Sequence, residues 1–408
     1  MAEDPRMDAV VALRKTLEEA EPDVLRSMVK VVAEALMASE AQTACGAGYG
    51  EASLDRLNSR NGYRTRRWDT RAGSIELAIP KLRHGSYYPG WLLEPRRRGE
   101  RALMQVVAEA YVKGISTRKV DDLVRTLGIE GMSKSQVSEL AGHLDEELEA
   151  FRSRPFDDHV YPYVWMDAMA VKTREAGRVV SAVLVIATAV NEEGHREVLG
   201  VDTLTAEDGP GWTGFLRSLV ARGLKGVQLV VSDAHEGLKK AIELTLPGAS
   251  WQRCRTHFMR NLLTRVPRQQ QTAVATVVRT IFAQPTPDEV RDQLGRVVKQ
   301  LRKPFPKAAE LLEDAKEDVL AFAAFPKAHW RAIWSNNPQE RLNREVRRRT
   351  DVVGIFPNRE ALLRLSTAVL SEQHDEWQVQ RRYFTLGTLL PLIHGDDETK
   401  EMALAVGA

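Results

Sequence analysis

The sequence has few cysteines and no long apolar run. Its two cysteines, Cys45 and Cys254, cannot form a disulfide framework, so we expect a reducing compartment. The longest nearly apolar run, Val179–Val190, has 12 residues, whereas a membrane helix needs about 20. The N-terminus has no basic leader followed by an apolar stretch, so we predict no secretory signal. These absences predict a soluble cytoplasmic protein without a membrane partner.

A strong overall charge is also missing. The 408 residues have a net charge of +2, and 28% of them are charged and 43% hydrophobic, as in ordinary globular proteins. The basic residues are instead clustered: 12 lysines and arginines stand against four acidic residues between Arg56 and Arg101, and five arginines lie in Arg341–Arg349. One such cluster is often only a solvated face, but two of them favour contacts with nucleic-acid phosphates.

The N-terminal half is predicted to bind DNA. Residues 1–55 have helical periodicity, and residues 56–98 form a basic module in which SIELAIP alternates apolar and polar residues as a strand does. Aromatic residues are interleaved with its arginines, which suits phosphates and stacked bases, although the aromatics could equally form a small core. The candidate DNA contacts are Arg64, Arg66 and Arg67.

Residues 99–155 are predicted to contain a helix-turn-helix. A helical segment ends at Gly128, and a second helix follows a short turn with Ser133 and Gln136 as a capping pair. Many helical hairpins share this layout without binding DNA. The residues able to face a groove are Lys134, Ser135 and Gln136.

The middle of the chain predicts an α/β fold with a mixed sheet. Three β-rich runs, VYPYVWMD, VVSAVLVIATAV and EVLGVDTL, indicate an antiparallel meander, and strand and helix patterns alternate up to the end of residues 156–261. Residues 262–334 are helical throughout and interrupt this layer, which residues 335–385 complete. The tail, residues 386–408, carries no chemical signal.

Two predicted strands end on an aspartate, Asp167 in YVWMD and Asp233 in LVVSD. Ligands of α/β sheets bind beyond the carboxyl ends of the strands, so the two carboxylates meet if their strands are neighbours. Carboxylates that share a site repel each other unless a cation lies between them, and hard oxygen ligands suit Mg²⁺. Taken alone, each aspartate is more commonly a turn or capping residue.

Glu340 directly precedes the second basic cluster, in NNPQERLNREVRRR. Asn337 as the N-cap, Pro338 as the first helical residue and Glu340 as the third satisfy the rules for helix initiation without any catalytic role. Capping does not explain the arginines, which at spacings of three and four form one basic stripe. The stripe consists of Arg341, Arg344 and Arg348. A carboxylate beside a basic ridge suits a metal-dependent enzyme that acts on phosphodiesters.

A series of specific motifs covers nearly the whole chain, from CGAGYGE to QHDEWQVQRRYF. They are RNGYRTR, IPKLRHGSYYP, STRKVDDLV with SKSQVS, VVSDAHEGLKKAI, WQRCRTHFMRNLL and NNPQERLNREVRRRTDVVGIFP. Together they resemble the mutator-type DDE transposases of bacterial insertion sequences. The resemblance implies an RNase H-like mixed-sheet catalytic core with an all-α insertion, preceded by a mostly helical DNA-binding region. Gln339 departs from the family, in which an aliphatic residue is more usual, and we expect its side chain to point away from the metal ions.

The resemblance assigns Asp167, Asp233 and Glu340 as the catalytic triad and as the ligands of two Mg²⁺ ions, which Mn²⁺ can replace. It implies cleavage and strand transfer of double-stranded DNA in the bacterial cytoplasm, with terminal inverted repeats and target DNA as substrates. Because two DNA ends must be joined in one complex, a homodimer or a higher oligomer is expected.

Cys254 and His257 match the family's Cys-x-x-His element. A structural zinc site normally has four protein ligands, and the second cysteine is far away in the sequence, so we do not expect zinc there. We expect a structural or DNA-contacting role near the active site, with a buried packing pair as the alternative. Trp251 and Trp334 are candidates for stacking on an unpaired base, although core packing is the commoner role of tryptophan.

Two other functions fit the same residues. An RNase H-like nuclease would cut DNA without joining it. An inactive protein derived from a transposase would bind DNA without cutting it. The complete triad and the length of the resemblance favour an active transposase over both.

Overall fold

The computed structural model describes residues 22–47, 56–70, 73–83, 87, 89, 102–103, 106–107, 145–156 and 159–393. The chain divides into two units, one formed by Met1–Pro95 with Val379–Arg381 and the other by Arg96–Gln378 with Arg382–Ala408. Nearly all of the predicted helix-turn-helix, including Lys134, Ser135 and Gln136, lies outside the described residues. Within the described residues, none of the helices is both long and apolar enough to cross a membrane.

The described residues of the first unit form one helix and a β-hairpin. Helix α1 spans Pro22–Cys45, and strands β1 (Arg60–Thr70) and β2 (Gly73–Leu82) pair antiparallel. Alternate apolar side chains of β2, among them Leu77 and Ile79, are buried against Met37 of α1. The strand predicted from the alternation in SIELAIP is therefore confirmed. Arg64 and Arg66 lie on β1, and their contact with DNA stays a prediction.

The second unit contains a mixed five-stranded sheet of order β5-β4-β3-β6-β7. Its strands are β3 (Tyr163–Glu175), β4 (Arg178–Val190), β5 (Arg196–Leu204), β6 (Leu229–Ser232) and β7 (Ser250–Arg253). Strands β3, β4 and β5 form an antiparallel meander, whereas β6 pairs parallel with both β3 and β7. The predicted meander and mixed α/β sheet are confirmed.

Ten α-helices between Gly209 and Val379, a fully described part of the chain, accompany this sheet. They are α2 (Gly209–Ala221), α3 (Glu236–Thr245), α4 (Arg255–Leu263), α5 (Gln271–Arg279), α6 (Pro287–Arg302), α7 (Pro306–Asp314), α8 (Lys316–Leu320), α9 (Trp330–Ile333), α10 (Asn337–Val353) and α11 (Arg359–Val379). From α4 to α9 no strand interrupts the helices, and every residue of this segment is described. The segment matches the helical pattern expected for residues 262–334.

The helices cover both faces of the sheet because successive strand residues point to opposite sides. Tyr163 and Trp165 of β3 pack against the helices α4 to α9, whereas Val164 and Met166 pack against α2 and α3. Where β3 and β4 extend beyond β6, a third cluster joins them to α10 and α11. The site described below lies at the junction of these clusters.

The sequence pattern predicted that strand β3 ends at Asp167, and this prediction was wrong. The strand continues for eight more residues to Glu175, and each of them pairs with β4. The extension carries Met169, which is buried against α10 and α11 rather than exposed in a loop. This packing surface, supplied by distant helices, is the physical reason that the strand continues past a charged residue.

His329 is a fully buried histidine in the helical segment. Its Nδ1 lies 2.8 Å from the Tyr163 hydroxyl and its Nε2 lies 2.8 Å from Thr388 Oγ1. Burial lowers the pKa of His329 from 6.5 to about 4 because desolvation disfavours the charged imidazolium. The native protein therefore resists taking up a proton that the unfolded chain binds readily.

We expect His329 to make the free energy of unfolding depend on pH. Because the pKa of His329 is lower in the folded than in the unfolded chain, its contribution to the free energy of unfolding is complete above pH 6.5. The contribution falls by up to about 3 kcal/mol as the pH drops towards 4. Urea unfolding of His329→Gln should lack this component. The matched control His159→Gln removes a half-exposed histidine and should retain it. Equal pH slopes for the wild type and His329→Gln would contradict the assignment.

Candidate active site

Asp167 and Asp233 occupy equivalent positions on neighbouring parallel strands. The last parallel pair between β3 and β6 joins Trp165 to Val231, and each aspartate lies two residues further on. A spacing of two keeps a side chain on the same face of the sheet, so both carboxylates point to the side covered by the helical segment. Asp167 is thus at the carboxyl end of the parallel part of the sheet although β3 itself continues. The sheet therefore brings the two aspartates together.

Glu340 reaches this edge from the first turn of α10. The residue before the helix, Asn336, is hydrogen-bonded to β3 and to the residue that follows β7: its Nδ2 donates to the Met166 carbonyl at 3.1 Å and its backbone N–H donates to Cys254 Sγ at 3.2 Å. The helix begins at Asn337, so the prediction of Asn337 as the N-cap was wrong by one residue. Asn336 occupies the cap position without capping through its side chain, because that side chain is engaged by Met166.

His257 lies between two of the three carboxylates. Its Nδ1 is 3.7 Å from Asp233 Oδ2 and its Nε2 is 3.6 Å from Glu340 Oε1. The pKa of His257 is raised to about 9, first by its hydrogen bond with Cys254 and further by the negative charges of Asp233 and Glu340. The imidazolium form is therefore favoured at neutral pH and offsets part of the negative charge of the site.

Burial is the main reason that the pKa of Asp167 rises to about 6, and the charges of Asp233 and Glu340 raise it further. The Ala168 N–H, which donates to Asp167 Oδ1 at 3.0 Å, and the nearby His257 oppose this rise. Three carboxylates that repel one another at one sheet edge are a fitting donor set for a hard divalent cation such as Mg²⁺, since its positive charge removes the repulsion.

A chain of buried polar side chains supports Asp167. Thr188 Oγ1 donates to Gln339 Oε1 at 2.6 Å, Gln339 Nε2 donates to Asn343 Oδ1 at 3.3 Å, and Asn343 Nδ2 donates to Asp167 Oδ2. Gln339 accordingly points into the protein towards β4. Sequence reasoning did not find Asn343. The available signal was the presence of two amide side chains one helical turn apart on the otherwise apolar face of α10.

The basic stripe lies on the opposite face of the same helix. Apolar residues such as Leu342 and Val346 are buried, whereas the stripe residues are exposed. Glu345 forms ion pairs with Arg348 at 3.5 Å and with Arg349 at 3.0 Å. The exposed members predicted as DNA contacts are Arg341, Arg344 and Arg348. Helix α10 thus carries Glu340 and the basic stripe together.

The two candidate stacking residues are both partly buried. Trp251 Nε1 donates to Ser232 Oγ at 2.8 Å, directly beside Asp233 in the chain. The Trp334 ring packs edge-on against Phe322, with the Arg255 guanidinium 4.2 Å above its centre. Packing accounts for these contacts of Trp334, and base stacking by either tryptophan stays a prediction.

Comparison with known proteins places nearly the whole chain in one family. The sequence model of the family described as "Transposase, Mutator family" matches residues 1–380. The transposase for insertion sequence element IS1081 of Mycobacterium tuberculosis is 55% identical, over 94% of this chain and 92% of that protein. The transposase for ISRM5 of Rhizobium meliloti is 38% identical over 90% and 92%, and that for IS256 in transposon Tn4001 of Staphylococcus aureus is 36% identical over 89% and 93%. The chain belongs to the Mutator family of transposases.

Proposed function

We propose that this protein is a DNA transposase that cleaves the ends of an insertion sequence and joins them to target DNA. The observation that carries the proposal is the convergence of Asp167, Asp233 and Glu340 at one edge of the sheet, beside an exposed row of arginines. The three carboxylates would hold two Mg²⁺ ions, which Mn²⁺ can replace. When bound, these ions supply activation of the attacking oxygen and stabilisation of the leaving oxygen in phosphoryl transfer.

The catalytic core is proposed to be RNase H-like, with the helices from α4 to α9 as its insertion. Three antiparallel strands followed by two parallel strands, in the order β5-β4-β3-β6-β7, support this assignment. So does the position of the acidic residues, one on the central strand β3, one after β6 and one on a helix that follows the helical segment.

The remaining residues have roles in holding DNA. Exposed arginines on α10 would contact phosphates next to the scissile bond, where their charge also attracts DNA from solution. The N-terminal region would recognise the terminal inverted repeats, with Arg64, Arg66 and Arg67 positioning the backbone and the predicted helix-turn-helix reading bases. Because two ends are joined in one complex, the active form would be a homodimer or a higher oligomer.

Asn343→Ala should weaken catalysis without abolishing it. The substitution removes the amide that donates to Asp167 Oδ2 and leaves the Gln339 amide without its acceptor. Loss of a group that orients a metal ligand typically costs about 10–100-fold in metal affinity or activity. We expect a higher Mg²⁺ requirement for strand transfer, and Asn343→Asp should not restore it because a carboxylate cannot donate to Asp167. An unchanged Mg²⁺ dependence would contradict the positioning role.

The function is tested by incubating the full-length protein with Mg²⁺, labelled element ends carrying the inverted repeats, and unlabelled target DNA. A transposase yields labelled ends that are joined to target strands through new phosphodiester bonds. Cleaved but unjoined ends would identify a nuclease instead. Specific binding of the ends without cleavage, in Mg²⁺ and in Mn²⁺, would identify an inactive DNA-binding protein.

A further inference from the structure

One cluster at the site contains soft donor atoms that Mg²⁺ does not require. Cys254, His257 and Glu340 each present one potential ligand atom, and these atoms all lie within 4.8 Å of one another. Cys254 is fully buried, and within the described residues neither His257 Nδ1 nor Glu340 Oε1 has a hydrogen-bond partner. A thiol, an imidazole and a carboxylate that converge in this way are the donor types of zinc sites with three protein ligands.

The separation between the His257 and Glu340 ligand atoms suits a small tetrahedral ion. His257 Nε2 and Glu340 Oε1 are 3.6 Å apart, which is too long for a hydrogen bond. Two ligand atoms bound to a tetrahedral zinc ion, each about 2.0–2.1 Å from it, lie about 3.3 Å from each other. A shift of a few tenths of an ångström would bring these two atoms to that separation, and Cys254 Sγ lies within 4.8 Å of both.

The groups behind the ligands are also those of a zinc site. The other nitrogen of His257, Nδ1, faces Asp233 Oδ2 at 3.7 Å without forming a hydrogen bond, and closing this gap would give the carboxylate–histidine–zinc arrangement that orients an imidazole ligand. The Asn336 N–H donates to Cys254 Sγ at 3.2 Å, and Cys254 directly precedes the N-terminus of α4. Both features place the positive end of an N–H group or of a helix beside the sulfur, on the side where a metal-binding thiolate needs it.

We propose that Cys254, His257 and Glu340 form a binding site for a thiophilic divalent cation such as Zn²⁺, and that its occupation inhibits the enzyme. Zinc was not expected from the sequence because a closed structural site needs four protein ligands, and Glu340 was not among the candidate ligands. The third ligand comes from another helix, 83 residues beyond His257, and the fourth position would be left to water. The inhibition rests on the proposed function, because Zn²⁺ at this site would withdraw Glu340 from the catalytic Mg²⁺ ions.

The binding is tested with Co²⁺ as a spectroscopic substitute for Zn²⁺, added to the metal-free full-length protein. We expect a thiolate-to-cobalt charge-transfer band in the near ultraviolet, together with the intense visible bands of tetrahedral cobalt, and the loss of both when Zn²⁺ is added. Cys254→Ser should remove the charge-transfer band, and His257→Asn should weaken cobalt binding. The matched control Cys45→Ala removes the other buried cysteine and should leave the spectrum unchanged.

Circular dichroism of each variant shows whether it is folded. Glu340→Gln tests the third ligand without changing the buried cysteine, and it should weaken cobalt binding as His257→Asn does. A weak octahedral cobalt spectrum in the wild type, or a charge-transfer band that persists in Cys254→Ser, would overturn the site. These measurements do not require activity, so they give a result even if the chain transfers no DNA strands.

The inhibition is tested by strand transfer at constant Mg²⁺ with increasing Zn²⁺, each variant being compared with its own rate without Zn²⁺. Loss of one of three ligands should raise the Zn²⁺ concentration for half inhibition by at least about tenfold in Cys254→Ser. The same sensitivity in Cys254→Ser and the wild type would show that Zn²⁺ acts elsewhere. Failure of the wild type to transfer strands without Zn²⁺ would instead contradict the proposed function.

Discussion

Asp233→Asn and Glu340→Gln should each lower the rates of strand cleavage and strand transfer by on the order of 10³-fold or more, equivalent to about 4 kcal/mol of transition-state stabilisation. Each substitution keeps the shape of the side chain but removes a negative charge from the proposed Mg²⁺ ligands. Each substitution also removes one of the two negative charges beside His257, so retained binding of the element ends is needed to show that the loss reflects the carboxylate and not a misfolded chain.

The measurement is the single-turnover rate on labelled element ends, with binding of the same ends followed separately by gel shift. Affinity for DNA should be retained, because neither carboxylate belongs to the basic stripe. Glu345→Gln is the matched control, since Glu345 lies on the same helix but pairs with Arg348 and Arg349 and not with the acidic cluster. A normal cleavage rate in Glu340→Gln would rule out Glu340 as a catalytic ligand.

Asp167→Asn should abolish activity and yet make the metal-free protein more stable. The native pKa of Asp167 is about 6, above its ordinary value of 3.8, so ionisation of this carboxyl costs more in the folded than in the unfolded chain. This loss of folding free energy is absent below pH 3.8 and grows as the pH rises towards 6. Above pH 6 it reaches up to about 3 kcal/mol. Asparagine keeps only one of the two acceptor oxygens used by Ala168 and Asn343, so the net gain is smaller.

Urea unfolding in the presence of a chelator measures this gain. The free energy of unfolding of Asp167→Asn should exceed that of the wild type above pH 6, and the difference should shrink towards pH 4. Added Mg²⁺ should stabilise the wild type more than the variant. Asp202→Asn is the control, because Asp202 also accepts the N–H of the next residue but is exposed on β5. A destabilised Asp167→Asn at neutral pH would contradict the electrostatic argument.

Local patterns were sufficient to predict much of the second unit. Strands β3 to β6 follow from runs of β-branched and apolar residues, and the helical segment follows from its long apolar periodicity. The rule that ligands collect at the carboxyl ends of strands predicts that Asp167 and Asp233 meet if their strands are neighbours, and the in-register pairing of β3 with β6 meets this condition.

The missing parts depend on contacts between residues far apart in the sequence. The continuation of β3 past Asp167 depends on packing against α10 and α11, which come more than 160 residues later. The bond from Asn343 to Asp167 joins positions 176 residues apart. The position of His257 between two carboxylates likewise requires the sheet and two helices to be assembled first. No local pattern contains this information.

The two ends of the helical segment are fastened to each other. The Arg255 N–H donates to the Trp334 carbonyl at 2.9 Å, and Thr256 Oγ1 donates to Asn337 Oδ1 at 3.2 Å. The chain therefore leaves the sheet at the start of α4 and returns to it at the start of α10 in nearly the same place. The hydrogen bonds between these two points fix the position of Glu340 in the first turn of α10. Evolution could therefore lengthen or shorten the distal helices in related enzymes without re-aligning the third carboxylate. Under the proposed function, the helical segment could then differ between transposases that act on different DNA ends, while the three carboxylates keep their positions.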